Sequence, residues 1–254
     1  MILSPADGSI WGSVAVFGGT AAVMRLVPGP NPPATALAEI YNVPKPGFGI
    51  RGADIDKKGV VWVSLGSGHI GSFDRRKCKG PLNGPKATGD HCPEGWTFHQ
   101  YPGPGFQGIG ENSAESSYYT WVDQHNTFGL GEDVPMSTAN LNDGLVALKD
   151  GKMILLRVPY PLGFYAKGFD GRIDDRNAGW KGRGLWTTSG DSSCSSTYPF
   201  FLSISPRNLA ASCVTRSISR PSWMPDFSTV SSRSGTPVDA HAARRARGCA
   251  NGRL

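Results

Sequence analysis

Short apolar blocks alternate with polar, glycine-rich turns along residues 49–101 of the chain. The apolar blocks cover residues 49–55, 60–65, 69–74 and 96–101. Turn sequences such as Lys57-Lys58-Gly59 suit tight reversals, because glycine adopts positive φ at no steric cost. The pattern predicts a unit of four short antiparallel strands. Further strands of the same kind are expected at 144–148 and 152–159.

Two sequence landmarks recur with a period similar to that of this unit. A proline-rich mark that ends in Gly-Phe begins at Pro44, Pro102 and Pro159, so that successive marks are 58 and 57 residues apart. The second landmark is a tryptophan inside a short apolar block: Trp11, Trp62, Trp121 and Trp186. Because both landmarks recur in the same order, they indicate an internal structural repeat.

A four-stranded repeat of this length is typical of a β-propeller blade. We expect Trp62, Trp121 and Trp186 to occupy the second strand of successive blades, where each ring packs between neighbours. The alternative is an unrelated β-sandwich with scattered tryptophans. The fold class predicted is all-β, a partial β-propeller of about three and a half four-stranded blades. The first blade is expected to begin without its first strand at residues 1–4, and only three complete repeats fit in the sequence. Because propellers close with about four to eight blades, we expect the sequence to be a piece of a longer chain.

The segments Gly59-Val60-Val61-Trp62-Val63-Ser64 and Gly68-His69-Ile70-Gly71-Ser72-Phe73-Asp74 resemble the blades of the streptogramin lyase (virginiamycin B lyase-like) propellers. The stretch 145–152 together with 159–164 looks like the second half of the same blade, and the resemblance covers residues 5–190. It implies the propeller fold, and possible opening of a cyclic depsipeptide ester by elimination. In such a reaction a histidine removes a proton beside a carbonyl, and Mg²⁺ near the propeller axis stabilises the enolate oxygen.

His69 and His125 are the histidines nearest to the position that the resemblance implies for such a base. His125 is the stronger candidate, because Asp123 and Glu111 lie close to it in sequence, and these three residues are the predicted catalytic set. Glu111 and Asn112 are the predicted oxygen ligands for Mg²⁺, a cation that prefers oxygen donors. The alternative is that such Asn and acidic residues, including those at 140–143, only form turns. No other cofactor is predicted, since Gly103-x-Gly105-x-x-Gly108 falls in an inter-blade turn.

Cys78 and Cys92 bracket an insertion between the third and fourth strands of one blade. A disulfide closing a loop of about 15 residues stabilises a protein by roughly 3 kcal/mol on the chain-entropy model. A Cys78–Cys92 disulfide and an oxidising compartment are therefore favoured over two free thiols, and a zinc site with His91 has too few ligands. We expect the parent protein to be periplasmic or secreted, although this sequence contains no signal peptide.

The net charge of +6 does not indicate a nucleic-acid partner. Residues 1–191 contain 18 basic and 18 acidic side chains, and the whole excess lies in residues 192–254. A nucleic-acid groove requires a basic surface on the folded body, which this balance does not supply. No apolar stretch is long enough to span a bilayer. The expected partners are a small-molecule or peptide ligand, or the remainder of a longer chain.

Residues 192–254 differ from the rest of the chain, with 14 Ser, 8 Arg and no Lys or Glu. This composition predicts that the propeller ends at residue 191 and that the tail contributes nothing to it. The tail is interpreted as the product of a reading-frame change near Asp191 in GC-rich DNA, or as a natural disordered basic segment. Two functional classes remain open for the body: a lyase, inactive as this partial chain, and a non-catalytic binding module of a larger extracytoplasmic protein.

Overall fold

The computed structural model of the chain describes residues 1–14, 20–108, 110–115, 117–158, 164–172, 184–189, 200–205 and 208–214. These residues form four four-stranded antiparallel sheets, and within each sheet the strands are arranged in sequence order. Helical structure in the described residues is limited to short 3₁₀ turns at Arg75–Lys77, Pro93–Gly95 and Asn140–Asn142. No helix in these ranges is long and apolar enough to cross a membrane. The all-β propeller fold expected from the sequence is therefore confirmed.

The strands of the four sheets have the following bounds. Sheet 1 contains β1 (Ile2–Leu3), β2 (Ile10–Val14), β3 (Ala22–Val27) and β4 (Leu37–Asn42). Sheet 2 contains β5 (Ile50–Ile55), β6 (Val61–Leu65), β7 (His69–Phe73) and β8 (Trp96–Gln100). Sheet 3 contains β9 (Thr120–Asp123), β10 (Val134–Ala139), β11 (Gly144–Lys149) and β12 (Lys152–Arg157). Sheet 4 contains β13 (Phe169–Arg172), β14 (Gly184–Ser189), β15 (Phe200–Ser205) and β16 (Asn208–Val214).

Apolar side chains fill the spaces between consecutive sheets. One buried cluster contains Trp11 and Tyr41 of sheet 1 together with Phe73 and Trp96 of sheet 2. A second cluster joins sheets 2 and 3, and Trp62 packs against it. A third cluster joins sheets 3 and 4. Because each sheet buries its apolar face only against its neighbours, the sheets behave as blades of a propeller.

The strands predicted for residues 49–101 agree with β5–β8 to within one residue at each end. Trp62 and Trp186 lie in second strands, as predicted. The prediction for Trp121 was wrong, because this residue lies in β9, the first strand of sheet 3. The second strand of that sheet is β10, in which every residue is buried and no tryptophan marks the position. A fully buried strand does not show the alternation on which the prediction relied.

The two ends of the repeat also differ from expectation. Ile2 and Leu3 pair with Trp11 and Ile10, so the first sheet has a short first strand and the chain forms four sheets rather than three and a half. At the other end, β15 pairs with β14 and β16 pairs with β15. These two strands come from the segment that the sequence placed outside the propeller, beyond residue 191. Residues 215–254 lie outside the described residues.

The predicted disulfide between Cys78 and Cys92 is present, with the two Cα atoms 5.1 Å apart. It closes the insertion between β7 and β8, and the inserted loop lies against β4 of sheet 1. The Asn42 backbone N–H donates to the Gly89 carbonyl at 2.7 Å, and the Asn42 side chain donates to Asp90 at 2.8 Å. The loop therefore pairs with the end of β4, the edge strand of sheet 1.

A buried ion pair beneath this loop also joins sheets 1 and 2. Arg75 donates two hydrogen bonds to the Glu39 carboxylate, from Nε and from one terminal nitrogen, each 2.7 Å long. Tyr41 donates a further hydrogen bond at 2.8 Å, and the Glu39 side chain is fully buried. Burial by itself raises the pKa of Glu39, but the hydrogen bonds from Arg75, Tyr41 and Asn83 lower it to about 2. Glu39 is thus held as a carboxylate, as a buried charge with complete hydrogen bonding should be.

Sheets 2 and 3 share a cluster of buried hydroxyl groups. The Ser64 hydroxyl lies 2.7 Å from that of Thr120 and 2.8 Å from that of Ser137. The Tyr101 hydroxyl is 2.7 Å from Ser137, and Ser117 hydrogen-bonds to both serines. Each hydroxyl can donate and accept, so the cluster satisfies its own members and fixes the two blades relative to each other.

Candidate functional site

The first strands β5, β9 and β13 lie side by side, in the position nearest a propeller axis. The Val122 backbone N–H of β9 donates to the Asp54 carboxylate of β5 at 2.7 Å. The side chain of Gln124 donates to the Ile55 carbonyl at 2.7 Å. These hydrogen bonds tie the ends of β5 and β9 together and hold the loop that follows β9 beside the first strand of sheet 2.

A cleft of about 230 Å³ opens at this end of the three strands. We call it the axial cleft, and its lining residues are Asp54, Trp121, Val122, Gln124, His125, Thr127, Asp170 and Gly171. It combines two carboxylates, one imidazole and one indole from three blades. The indole ring of Trp121 lies so close to Gly171 that any side chain at that position would clash with it. Gly171 is therefore required for the wall of the cleft to close.

The environment of Asp54 in the axial cleft perturbs the acidity of its carboxyl group. Its carboxylate accepts hydrogen bonds from the backbone N–H groups of Ile55, at 2.8 Å, and Val122. Burial nevertheless raises the pKa of Asp54 to about 6, and the negative charge of Asp170 adds to the rise. A carboxyl group with a pKa near neutrality can both release and take up a proton under physiological conditions.

The structure places His125 in the axial cleft, on the exposed loop between β9 and β10. Asp123 organises that loop from inside the fold, because its buried carboxylate accepts hydrogen bonds from the backbone N–H groups of Thr127 and Phe128 at 2.8 and 3.0 Å. Asn126 has φ of 54° and accepts a hydrogen bond from Gly131, which completes the turn. Asp123 thus positions the loop that carries His125 and is not among the residues that line the cleft.

Glu111 and Asn112 lie in the loop that precedes β9, at the opposite end of that strand from His125. Glu111 is exposed, and its charge acts on His69. The side-chain oxygen of Asn112 accepts the Phe106 backbone N–H at 2.6 Å, and its amide nitrogen donates to the Gly110 carbonyl at 2.8 Å. Asn112 therefore shapes the turn that contains the second Pro-Gly-Phe mark.

A magnesium ion at Glu111 and Asn112 stays a prediction. The Asn112 oxygen already accepts a backbone hydrogen bond, and the described ranges of the chain contain no group of three or more His, Cys, Asp or Glu side chains arranged to bind a metal. In the 140–143 segment, Asn140 hydrogen-bonds both backbone groups of Ala166, and Asp143 accepts the Phe164 N–H. These hydrogen bonds hold the backbone of the loop before β13 in place. They agree with the alternative that the Asn and Asp residues at 140–143 have a structural role in turns.

His69, the other candidate histidine, is buried at the start of β7. Its Nδ1 lies 3.1 Å from the Ser67 hydroxyl, and its ring meets the Phe98 ring edge-on at a centroid distance of 6.2 Å. Burial lowers the pKa of His69, while the charge of Glu111 opposes that shift. A buried, neutral imidazole packed in this way serves the core of sheet 2.

Of the three titratable residues in the axial cleft, His125 was predicted from the sequence, whereas Asp54 and Asp170 were not. In the strand register, Asp54 lies opposite Trp62 and Asp170 lies opposite Trp186, so the two aspartates occupy equivalent positions of sheets 2 and 4. A signal for them was present, because the sequence reads Arg51-Gly-Ala-Asp54 in one first strand and Lys167-Gly-Phe-Asp170 before and within the other. The repeated basic residue, glycine and aspartate mark the cleft better than the histidines do.

No protein-family profile matches the sequence, and no curated protein matches it significantly. Among solved structures, the chain is similar to a catalytically inactive histidine-to-alanine variant of virginiamycin B lyase from Staphylococcus aureus with quinupristin. That similarity has a TM-score of 0.50 at 12% identity and covers 85% of this chain and 55% of the lyase. A selenomethionine-substituted structure of the same lyase gives a TM-score of 0.45 at 12% identity, covering 80% of this chain and 54% of that one.

The chain thus spans about half the length of the lyase structures that it matches. At this level of identity the likeness concerns the arrangement of the strands and not the chemistry of the site. Together with the four consecutive four-stranded sheets, it shows that the chain has the fold of the streptogramin lyase-like β-propellers.

Proposed function

We propose that the axial cleft binds a small-molecule or peptide ligand, and that this chain is the ligand-binding part of a longer propeller protein. The observation that supports this proposal is the convergence of Asp54, His125 and Asp170, from three different blades, on one cleft. Ligand sites commonly combine a concave surface with a few polar groups and a titratable group of perturbed pKa. Trp121 adds an aromatic wall against which an apolar part of a ligand can pack.

A lyase activity is the second candidate, and it is favoured by the titratable groups of the same cleft. In an elimination, a base removes the proton next to a carbonyl, the carbon–oxygen bond of the ester breaks, and its electrons leave with the carboxylate as a carbon–carbon double bond forms. We assign the role of base to His125, which is exposed in the cleft. Asp54, with a pKa of about 6, is the second proton-exchanging group. No step is assigned to Mg²⁺.

The test uses quinupristin, the compound named with the matched lyase structure. Binding is measured by calorimetry, and ring opening by liquid chromatography with mass spectrometry. Elimination leaves the mass unchanged and creates a double bond, whereas hydrolysis adds the mass of a water molecule. Binding without ring opening supports the binding module, and ring opening that is lost in His125→Ala supports the lyase.

Glu111→Gln is the matched control, because Glu111 lies away from His125 at the other end of β9. Both proposals expect this variant to bind and turn over quinupristin as the parent chain does. Turnover that is lost in Glu111→Gln and kept in His125→Ala would move the chemistry away from the axial cleft. If quinupristin and related depsipeptides do not bind at all, this ligand class is excluded.

The disulfide supports a periplasmic or secreted location for the parent protein, because such bonds persist in oxidising compartments. The remaining blades of a closed ring are a further expected partner. Propellers close with about four to eight blades. A ligand in the axial cleft would then contact first strands from the rest of the ring as well.

A further inference from the structure

A second group of side chains surrounds the opposite end of the first strands. Arg51 lies near the start of β5, Tyr118 precedes β9, and Tyr165 and Lys167 precede β13. Because β5, β9 and β13 lie side by side, these residues from three blades are brought together. Arg51 and Lys167 each stand three positions before the cleft aspartate of their own blade. Each of these two first strands therefore has a basic residue at one end and an acidic residue towards the other.

The two basic side chains share one aromatic ring. The Arg51 guanidinium carbon lies 4.5 Å from the centroid of the Tyr118 ring, and the Lys167 ammonium lies 5.7 Å from it. Lys167 also lies 5.9 Å from the Tyr165 ring, which is 5.9 Å from Tyr118. The two positive groups are thus no more than about 10 Å apart, which is about one Debye length at an ionic strength of about 0.1 M, so they interact more strongly at lower salt.

Neither basic group is neutralised by a carboxylate of the described residues. The ion pairs found there involve other side chains. Arg51 uses one terminal nitrogen to donate to the Ser117 carbonyl at 2.9 Å, so most of its five N–H donors remain available. Two like charges on one ring repel each other, and an anion between them converts that repulsion into attraction.

Exposed aromatic rings lie at the same end of the strands. Phe48, from the first Pro-Gly-Phe mark, is 57% exposed and precedes β5, and Tyr119 is 44% exposed and precedes β9. In contrast, Phe164 of the third mark is buried between sheets 3 and 4. Aromatic rings together with cations that form no ion pair within the described residues are suited to a ligand that has both an aromatic face and a negative charge.

We propose that Arg51, Lys167, Tyr118 and Tyr165 form a binding site for aromatic carboxylates at the end of the axis opposite the axial cleft. The carboxylate accepts hydrogen bonds from the Arg51 guanidinium and the Lys167 ammonium, and the ring of the ligand packs beside the Tyr118 and Tyr165 rings that these cations contact. The site does not depend on the ligand or the chemistry of the axial cleft. Failure of either proposal therefore leaves the other intact.

Benzoate is the probe, titrated into the chain at low salt with ligand-observed NMR as the readout. Hydrogen bonds to charged groups contribute enough that Arg51→Gln and Lys167→Met should each weaken benzoate binding by about tenfold or more. Lys58→Gln is the matched control, because Lys58 is an exposed lysine in the turn at the other end of β5. The Lys58→Gln variant should bind benzoate with the same affinity as the parent chain. Thermal unfolding checks that each variant is folded, and the exposed Lys167 keeps the test open if Arg51→Gln fails to fold.

Two further probes test the chemistry of recognition. Benzylammonium has the same ring and the opposite charge, and it should not bind. Inorganic phosphate, an anion without a ring, should bind more weakly than benzoate. Equal affinity for benzylammonium, equal affinity for phosphate, or unchanged benzoate binding in both variants would each overturn the proposal.

Discussion

Replacing Asp54 with asparagine should change how the stability of the chain depends on pH. The folded state raises the pKa of this carboxyl from 3.8 to about 6, chiefly through burial. The folded chain therefore holds the Asp54 proton more tightly than the unfolded chain does. Stability is unaffected by this group below the unfolded pKa, and it decreases as the pH rises through the folded pKa. Asparagine cannot ionise, so the free energy of unfolding of the variant does not decrease in this way as the pH rises.

The expected size follows from the two pKa values. A shift of about two units corresponds to about 3 kcal/mol when the pH is well above both values. Between about pH 4.5 and about pH 7.5, the change amounts to about 2 kcal/mol. Asparagine also turns its N–H₂ group towards one of the backbone donors of Ile55 or Val122, which costs about 1–3 kcal/mol. That cost is independent of pH and cancels when the two pH values are compared.

The measurement is urea unfolding of the parent and Asp54→Asn chains at both pH values, followed by tryptophan fluorescence. The free energy of unfolding of the variant relative to the parent should rise by about 2 kcal/mol on going to the higher pH. Asp170→Asn is the control, because the charge of Asp170 is only a small contribution to the Asp54 shift. It should reduce the effect without abolishing it. An identical difference at both pH values would refute the reasoning about burial.

Two other substitutions test the contacts between sheets 1 and 2. Cys78→Ser should lower the free energy of unfolding by roughly 3 kcal/mol, and it should make the unfolding midpoint insensitive to dithiothreitol, unlike that of the parent. An equal sensitivity of both chains would contradict the disulfide. Glu39→Gln should cost about 2 kcal/mol more at about pH 7 than at about pH 3, because a carboxyl whose folded pKa is lowered to about 2 loses its stabilising effect as the pH falls. The same loss at both pH values would show that Glu39 acts through packing and not through its charge.

The strands of sheet 2 could be predicted because its sequence follows local rules. Its turns use glycine at positive φ, as at Gly59 and Gly68, and the flanking blocks are apolar. Sheet 3 breaks the same rules, since β10 is buried throughout and contains Pro135. Without alternation or a tryptophan, its strand could be located only by its pairing with Trp121 and its neighbours in β9. Burial on both faces comes from the packing of adjacent blades, which a local pattern does not encode.

The candidate site was predicted less well than the fold, for a physical reason. Proximity in sequence groups His125 with the acidic residues Asp123 and Glu111. In a propeller, residues close in sequence lie along one blade, whereas the axial cleft gathers residues from three different blades. Equivalent positions of the repeat are therefore the better guide. The sequence marks Asp54 and Asp170 by a repeated pattern of a basic residue, a glycine and an aspartate, and in the structure each aspartate lies opposite a second-strand tryptophan.

The boundary at residue 191 was drawn from composition averaged over the last 63 residues. That average conceals a difference within the segment. Residues 200–214 contain a single arginine, Arg207, and no acidic residue, and they are rich in the apolar and hydroxyl side chains that suit strands. The other seven arginines of the segment all lie beyond residue 214. The strands β15 and β16 fall in the part of the segment to which the compositional argument does not apply. A change of reading frame near Asp191 stays a prediction. If the frame does change there, the new frame must still encode β15 and β16, the two strands that extend sheet 4.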